Sequence, residues 1–176
     1  MAWFPDAEKH ALHHQVKPQK MSHPIRGLVL HITDTKNQTL DSLYHDFNNP
    51  NQPPPNRSAH FGVAKDGTIW QFADTNDVTF AVDGVWGGDG VDNHWLSVEN
   101  VAKLGEELTD EQVDILAQLF AWLCHLESVP VKLAESKAGT GLGYHKMFRI
   151  GDHACPGPKV VAQRQDILEL VSAAYI

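Results

Sequence analysis

The chain has 176 residues, of which 42% are hydrophobic and 20% charged, so it can bury the core of one ordinary globular domain. Its formal net charge of −8 argues against nucleic acid as a partner, because phosphate binding needs a basic surface. Two cysteines are too few for a disulfide scaffold. No apolar stretch approaches the roughly 18 residues of a membrane helix, and the N-terminus lacks the pattern of a secretory signal. We therefore expect a protein made in the cytoplasm.

The first half of the chain predicts an arm, a strand, a helix and a hairpin. Residues 1–22 are polar, rich in histidine and interrupted by proline, and we interpret them as an arm packed on the domain. The apolar run 26–33 predicts a buried strand. Apolar residues at helical spacing predict a short helix over 39–47, with Thr39 as its N-cap. An Asp-Gly turn inside residues 59–73 predicts a hairpin.

The second half predicts one more strand and two helices. Residues 95–102 have the composition of a strand. A capping box at Thr109 starts the clearest helix, whose apolar stripe continues to about residue 127. Residues 158–172 predict a closing helix. Strands that alternate with helices predict an α/β domain built around one sheet, and we assign it to residues 23–176.

Two clusters of glycine are candidates for a phosphate-binding loop. Neither Gly84–Gly90 nor Gly139–Gly143 follows a strand and opens a helix, as such a loop requires. We interpret both as flexible surface loops near a cleft. The first lies in a predicted loop over 83–94, and the second lies in a stretch over 130–157 that we expect to be mostly irregular.

Two histidines and a cysteine are candidate metal ligands. His31 ends an apolar run, His145 follows Gly-Tyr, and His153-Ala-Cys155 precedes Pro-Gly. Two imidazoles and a thiolate with one open position form a ligand set of catalytic zinc. By itself His31 could instead be a hydrogen-bonded core histidine. Cys155 could be a nucleophile with His145 or His153 as its base, but the accompanying histidines favour metal binding.

Glu99 is the candidate general base. It shares one face of its predicted strand with Ser97, and a carboxylate beside a zinc-bound water could remove a proton from that water. The alternative is a solvated strand residue. We expect Cys124 to lie in the core and His60 to be a packing or supporting histidine. The histidines of the arm are expected to face solvent: His10, His13 and His14.

The order of these fragments resembles the zinc-dependent N-acetylmuramoyl-L-alanine amidases of the type 2 amidase and peptidoglycan recognition protein superfamily. The resemblance covers residues 23–172 and rests on the joint order of several short motifs. These motifs are Leu28-Val-Leu-His31-Ile-Thr33, Ser58-Ala-His-Phe-Gly-Val-Ala-Lys-Asp-Gly-Thr-Ile-Trp-Gln71, Leu96-Ser-Val-Glu99, Leu108-Thr-Asp-Glu-Gln112, and Gly143-Tyr-His145 with Cys155-Pro-Gly157. The resemblance implies a central mixed β-sheet flanked by α-helices, with a groove that holds one zinc ion.

The resemblance also implies a role for each candidate residue. Its zinc ligands would be His31, His145 and Cys155, and Glu99 would activate the water. His153 would stabilise the oxyanion, at a position where many members carry lysine. The chain departs from the family pattern at two further positions: Ala59, where some members have tyrosine, and Val82, where many have histidine.

The implied activity is hydrolysis of the amide bond between N-acetylmuramic acid and L-alanine of peptidoglycan. The alternatives are a peptidoglycan-binding module without turnover and a hydrolase with Cys155 as nucleophile. Without a visible secretory signal, three biological settings are compatible with the sequence. The protein could be a bacteriolytic endolysin released by lysis, a secretion-system effector with a possible immunity protein, or a cytosolic enzyme that recycles muropeptides.

Overall fold

A six-stranded sheet lies at the centre of the protein. The structure is a computed structural model, and it describes residues 2–13, 16–35, 37–51, 57–82, 91–148 and 154–174. The strands are β1 (Glu8–Lys9), β2 (Val16–Lys20), β3 (Gly27–Ile32), β4 (Phe61–Val63), β5 (Ile69–Gln71), β6 (Asp77–Thr79), β7 (Trp95–Asn100) and β8 (Gly141–Tyr144). The helices are α1 (Leu40–Phe47), α2 (Asp110–Glu127) and α3 (Pro158–Ala174), with 3₁₀ turns at Val91–His94 and His145–Phe148.

The order of strands in the main sheet is β1-β5-β4-β7-β3-β8. Strands β4 and β5 form the predicted hairpin and are antiparallel, whereas every other neighbouring pair is parallel. Strands β2 and β6 form a separate antiparallel pair. The expected α/β class with a central mixed sheet is confirmed. Because β4, β7, β3 and β8 run in one direction, their C-terminal ends meet at one edge of the sheet.

The two faces of the sheet are covered differently. One face carries Leu28 and Leu30 of β3 with Val98 of β7, and these residues belong to the main core cluster that includes α2 and α3. Side chains alternate along a strand, so Val29 and Trp95 lie on the opposite face, where they form a smaller cluster. By the same alternation His31 and Glu99 lie on that second face.

The predicted helix starts are confirmed. Thr39 caps α1 and Thr109 caps α2, and each threonine side chain accepts a hydrogen bond from a backbone N–H in the first turn. Helix α1 packs on the second face of the sheet, where a Cβ on Gly62 of β4 would lie 2.9 Å from Leu40. No helix of the described ranges is both long and apolar enough to cross a membrane.

The glycine-rich stretch before His145 was predicted wrongly. Residues 141–143 are not a flexible surface loop but the buried part of β8, which pairs in parallel with β3. The reason is the close approach of neighbouring groups: a Cβ on Gly141 would lie 2.1 Å from the carbonyl oxygen of Lys132, and a Cβ on Gly143 would lie 2.5 Å from the side chain of Met147. A strand in this position needs glycine and therefore lacks the β-branched residues that usually mark a strand. The other cluster, Gly84–Gly90, lies outside the described residues.

The N-terminal arm contributes strands to both sheets. Within it, β1 pairs in parallel with β5 at the edge of the main sheet, and β2 pairs with β6. His10 does not face solvent as expected; it is half-buried, because its ring stacks on Trp70 with centroids 3.5 Å apart. His13 is exposed as predicted, and His14 lies outside the described residues.

Candidate active site

The three candidate metal ligands meet at the C-terminal edge of the parallel strands. His31 lies near the end of β3, His145 directly follows β8, and Cys155 lies shortly before α3. Their potential ligand atoms all lie within 4.8 Å of one another. The two imidazole rings are tilted by 47°, with centroids 4.4 Å apart. This is the only such cluster of histidine, cysteine or acidic side chains among the described residues.

Backbone contacts fix the ligands in place. The N–H of Ile32 donates to Cys155 Sγ at 3.4 Å, and the N–H of Lys146 donates to the Cys155 carbonyl oxygen at 3.0 Å. The side chain of Asn100, buried at the end of β7, donates to the carbonyl oxygen of His31 at 2.8 Å. Sequence reasoning missed Asn100; a polar amide at the end of an otherwise apolar strand was the available signal.

The site is well buried. His31 is 2% exposed and His145 is 9% exposed, while Cys155 is half-buried. Two imidazoles and one thiol that converge in this way suit zinc, which prefers nitrogen and sulfur donors. The ends of β3 and β8 hold the two imidazoles, and backbone hydrogen bonds to Ile32 and Lys146 hold Cys155, so the site is preorganised for a cation.

Glu99 lies beside this cluster. It is paired with His31 in the ladder between β7 and β3, and Glu99 Oε1 lies 4.0 Å from His31 Nδ1. Its side chain is only 21% exposed, so it is not a solvated strand residue. Burial raises the pKa of Glu99 to about 7, against an opposing effect of the positive charge of Arg57. Glu99 Oε2 has no hydrogen-bond partner within the described ranges.

The surroundings of Cys155 do not favour a nucleophilic thiolate. Burial raises the pKa of the Cys155 thiol to about 12, and the negative charges of Glu99 and Asp34 act in the same direction. Only the hydrogen bond from Ile32 acts to lower it. Nucleophilic cysteines lie in electropositive surroundings that depress the thiol pKa. A bound cation would stabilise the thiolate here, whereas the protein alone does not.

His60 is buried elsewhere, in a polar network between strands. Its Nε2 lies 2.9 Å from the carbonyl oxygen of Asp77, which can only accept, so Nε2 carries the proton. Its Nδ1 accepts from the N–H of Ser97 at 3.2 Å and lies 3.2 Å from Thr79 Oγ1. Burial lowers the pKa of His60 to about 4. Ser97 shares a face of β7 with Glu99, but it is a hydrogen-bonding partner of His60.

The remaining predicted site residue is not placed. His153, the expected oxyanion-stabilising residue, lies in the undescribed stretch 149–153. Cys124 is half-buried against the main core on α2 and is remote in sequence from the cluster, in keeping with its expected packing role.

The fold is shared with cell-wall amidases and peptidoglycan recognition proteins of known structure. The amidase LysC from Clostridium intestinale URNW matches with a TM-score of 0.65 and 19% identity, over 94% of this chain and 97% of that chain. AmiA, a hydrolase of Staphylococcus aureus, matches with a TM-score of 0.66 and 16% identity, over 99% and 88%. The Drosophila peptidoglycan recognition protein PGRP-SA matches with a TM-score of 0.65 and 14% identity, over 91% of each chain.

The sequence itself establishes the family. The profile of the N-acetylmuramoyl-L-alanine amidases matches residues 21–158, and the chain therefore belongs to that family. No curated protein matches the sequence. The expected class of function, a peptidoglycan amidase, is confirmed.

Proposed function

We propose that this chain is a zinc-dependent N-acetylmuramoyl-L-alanine amidase whose metal ligands are His31, His145 and Cys155. The observation that carries the proposal is the convergence of their ligand atoms within 4.8 Å at one edge of the sheet. Three protein ligands leave a fourth position for water or substrate, as catalytic zinc sites do. When bound, zinc lowers the pKa of water and polarises the carbonyl that is attacked.

Glu99 acts as the general base in this proposal. Its Oε1 is held 4.0 Å from His31, and its Oε2 is available to accept a proton. The carboxylate takes the proton of the attacking water and then delivers it to the leaving amine of L-alanine. The pairing of β3 with β7 fixes the carboxylate relative to His31, so the base does not have to be recruited from a loop.

His153 stabilises the oxyanion of the tetrahedral intermediate. It stands two positions before Cys155, and an imidazole can donate one hydrogen bond when neutral and carry charge when protonated. Loss of one oxyanion donor typically costs about 10²- to 10³-fold in turnover. We expect that loss for His153→Ala, and we expect His153→Lys to retain most of the turnover. Equal loss in both variants would contradict the role.

The substrate we propose is peptidoglycan, met after lysis or delivery across the membrane. The direct test is mass spectrometry of purified peptidoglycan incubated with the protein, with and without a zinc chelator. We expect stem peptides that begin at L-alanine, their loss on chelation, and their return when zinc is added. Parallel reactions with soluble anhydro-muropeptides test the alternative of a recycling enzyme, which would prefer these fragments to polymeric wall.

The same experiment distinguishes a zinc amidase from a binding module and from a cysteine hydrolase. If the protein were only a binding module, it would stay bound to the wall and release no peptide. A hydrolase with Cys155 as nucleophile would resist the chelator and lose activity on thiol alkylation.

A further inference from the structure

Helix α3 carries a buried arginine whose charge the proposed mechanism does not use. Arg164 is only 3% exposed. Burial of a guanidinium is costly unless hydrogen bonds and opposite charges compensate for the lost water. A buried ionic group adds little net stability compared with well-packed apolar residues, and in some proteins it is retained because it fixes one arrangement of the chain. The contacts of Arg164 show which arrangement it fixes here.

The buried contacts of Arg164 are made with β8 and with the segment beside that strand. Its Nη1 donates to the carbonyl oxygens of Leu142 and Ala134, both at 3.0 Å. Its guanidinium carbon lies 4.4 Å from the centroid of the Tyr144 ring, a distance at which a cation is attracted to an aromatic face. One planar group therefore holds two backbone carbonyls and one ring at the same time.

Two other contacts set the position of the guanidinium. Its Nε donates to the carbonyl oxygen of Val161 in the same helix at 3.1 Å. Its Nη2 donates to Oε1 of Glu135 at 3.2 Å, but the Glu135 side chain is 65% exposed. An ion pair that faces water in this way is weak. The strong contacts of Arg164 are thus those with β8 and its neighbouring segment.

Strand β8 has few side chains with which to hold its own position. It lies at one end of the strand order, beside β3, and two of its four residues are glycine. On its outer side there is only a short bridge in place of a full strand: the N–H of Leu142 donates to Lys132, and the N–H of Ala134 donates to Leu142. Arg164 binds both β8 and this bridge, and so it fixes one to the other.

The contacts on one face of β8 determine where the next side chain lies. Tyr144 pairs with Leu30 of β3, which belongs to the core beneath α2 and α3. His145 directly follows Tyr144, and its imidazole lies on the opposite face beside that of His31. Because side chains alternate along a strand, a Tyr144 ring that is held by the guanidinium limits rotation of the strand end. The direction of the His145 side chain is limited with it.

We propose that Arg164 is a positioning residue for the metal site. By holding Leu142 and Tyr144, it keeps the imidazole of His145 at the point where His31 and Cys155 converge. The role requires the planar guanidinium, because a lysine ammonium is a compact charge on a flexible stem and cannot make these contacts together. This inference rests on the proposed function, since it concerns the geometry of the metal ligands in that function.

The test measures metal binding separately from stability in variants of the full chain. Arg164→Lys keeps the positive charge and loses the planar fork. It should weaken zinc affinity by about 10- to 100-fold, as loss of outer-shell partners does, measured by competition with a chromogenic chelator. Cobalt(II) is a second probe, since its visible spectrum reports the geometry of its ligands. We expect the spectrum of cobalt-loaded Arg164→Lys to differ from that of the parent.

Gln163→Met is the matched control. Gln163 precedes Arg164 in α3, is half-buried, and also binds backbone groups. Its Oε1 accepts from the N–H of Leu108 at 2.8 Å, and its Nε2 donates to the carbonyl oxygen of Leu108 at 3.0 Å. These hydrogen bonds hold the segment before α2 rather than β8. We expect Gln163→Met to lower the free energy of unfolding in chemical denaturation, with the zinc affinity and cobalt spectrum of the parent.

Further variants test each contact of the guanidinium. Tyr144→Leu removes the ring and should change the cobalt spectrum as Arg164→Lys does, whereas Tyr144→Phe keeps the ring and should match the parent. If Arg164→Lys does not fold, this pair tests the same contact from the side of β8. Glu135→Gln removes only the exposed ion pair and should leave zinc affinity within about 2-fold of the parent.

Two outcomes would overturn the inference. One is parental zinc affinity and cobalt spectra in both Arg164→Lys and Tyr144→Leu. The other is an equal loss of zinc affinity in Gln163→Met and Arg164→Lys, because general destabilisation would then explain both. Failure of the proposed function has a different signature: the parent would bind zinc and release no stem peptide, and the order of the variants in zinc affinity would remain. A parent that binds neither zinc nor cobalt would overturn both proposals.

Discussion

Two buried histidine sites flank the same strand, β7, and they differ in what surrounds the imidazoles. At His60, both ring nitrogens face hydrogen-bonding partners of the protein: Asp77 on one side, and Ser97 with Thr79 on the other. At the other site, His31 and His145 converge with a thiol, and a carboxylate lies next to them. Both sites are buried, so burial does not distinguish them.

The difference shows what marks a functional histidine in this fold. A histidine surrounded by hydroxyls and carbonyls is held neutral and joins strands together. Where imidazole nitrogens and a thiol sulfur point to the same position, they form a set of soft and borderline donors that suits a metal ion. The donor set, rather than the depth of the residue, carries the functional information.

The largest effect should follow from removing one of the three candidate metal ligands. Cys155→Ala should lose bound zinc and reduce hydrolysis by about 100-fold or more, since even outer-shell partners of a metal ligand are worth about 10- to 100-fold. The matched control is Cys124→Ala, which removes a half-buried thiol outside the cluster. Zinc content by elemental analysis and release of stem peptides give the two readouts. Full zinc content in Cys155→Ala would contradict the ligand assignment.

The next effect separates the base from the ligands. Glu99→Gln should keep zinc and lower kcat by about 10²- to 10⁴-fold, the usual contribution of general base catalysis. Glu169→Gln, which changes an exposed carboxylate on α3, should leave kcat unchanged. An active Glu99→Gln enzyme with normal zinc content would remove Glu99 from the mechanism.

The His60 site should make stability depend on pH. Its folded pKa of about 4 lies below the ordinary value of 6.5, so as pH falls the unfolded chain binds the proton first. The free energy of unfolding should therefore fall between pH 6.5 and pH 4, by about 3 kcal/mol in total. The negative charges of Asp77 and Asp74 oppose the shift and limit its size.

Chemical denaturation across this pH range, for the parent and for His60→Gln, checks the prediction. The difference between the two proteins isolates the contribution of His60 from that of other titrating groups. Parallel pH curves for both proteins would show that His60 is not the group responsible.

The smallest effect concerns the helix that supports both sites from behind the sheet. The Thr109 side chain accepts from the N–H of Gln112 at 3.1 Å and donates to the carbonyl oxygen of Lys65 at 2.6 Å. Thr109→Ala should lower the free energy of unfolding by about 1 kcal/mol, or roughly 2–4 °C in Tm. Thr109→Ser keeps the hydroxyl and should stay close to the parent in a thermal melt. Loss of activity without loss of stability would be inconsistent with a capping role.

Local signals in the sequence were sufficient for much of the fold. The caps at Thr39 and Thr109 and the Asp-Gly turn of the hairpin act over a few residues, so they can be read directly. Strand β8 could not be predicted in this way. Its glycines are required where the carbonyl oxygen of Lys132 and the side chain of Met147 approach the strand, and these contacts exist only in the folded chain.

The same distinction applies to the site. The residue types and order of His31, Glu99, His145 and Cys155 pointed to a metal site, and the structure brings these residues together. The stacking of His10 on Trp70 was not predictable, because the arm is polar and its pairing with β5 depends on tertiary contacts. Neutral hydrogen-bonding networks such as that of His60 also depend on strands that are distant in sequence.

The short strand β1 has a consequence for solubility. Without it, β5 would end the sheet with unpaired N–H and C=O groups, a surface on which a strand of another molecule can add. The arm occupies that position: the N–H groups of His10 and Leu12 donate to carbonyl oxygens of β5 and Phe72, and Glu8 and Lys9 are exposed. At the opposite edge, the N–H of Ala134 donates to Leu142 of β8. Both margins of the sheet are thus protected, and deletion of residues 1–12 would turn one of them into a starting point for aggregation.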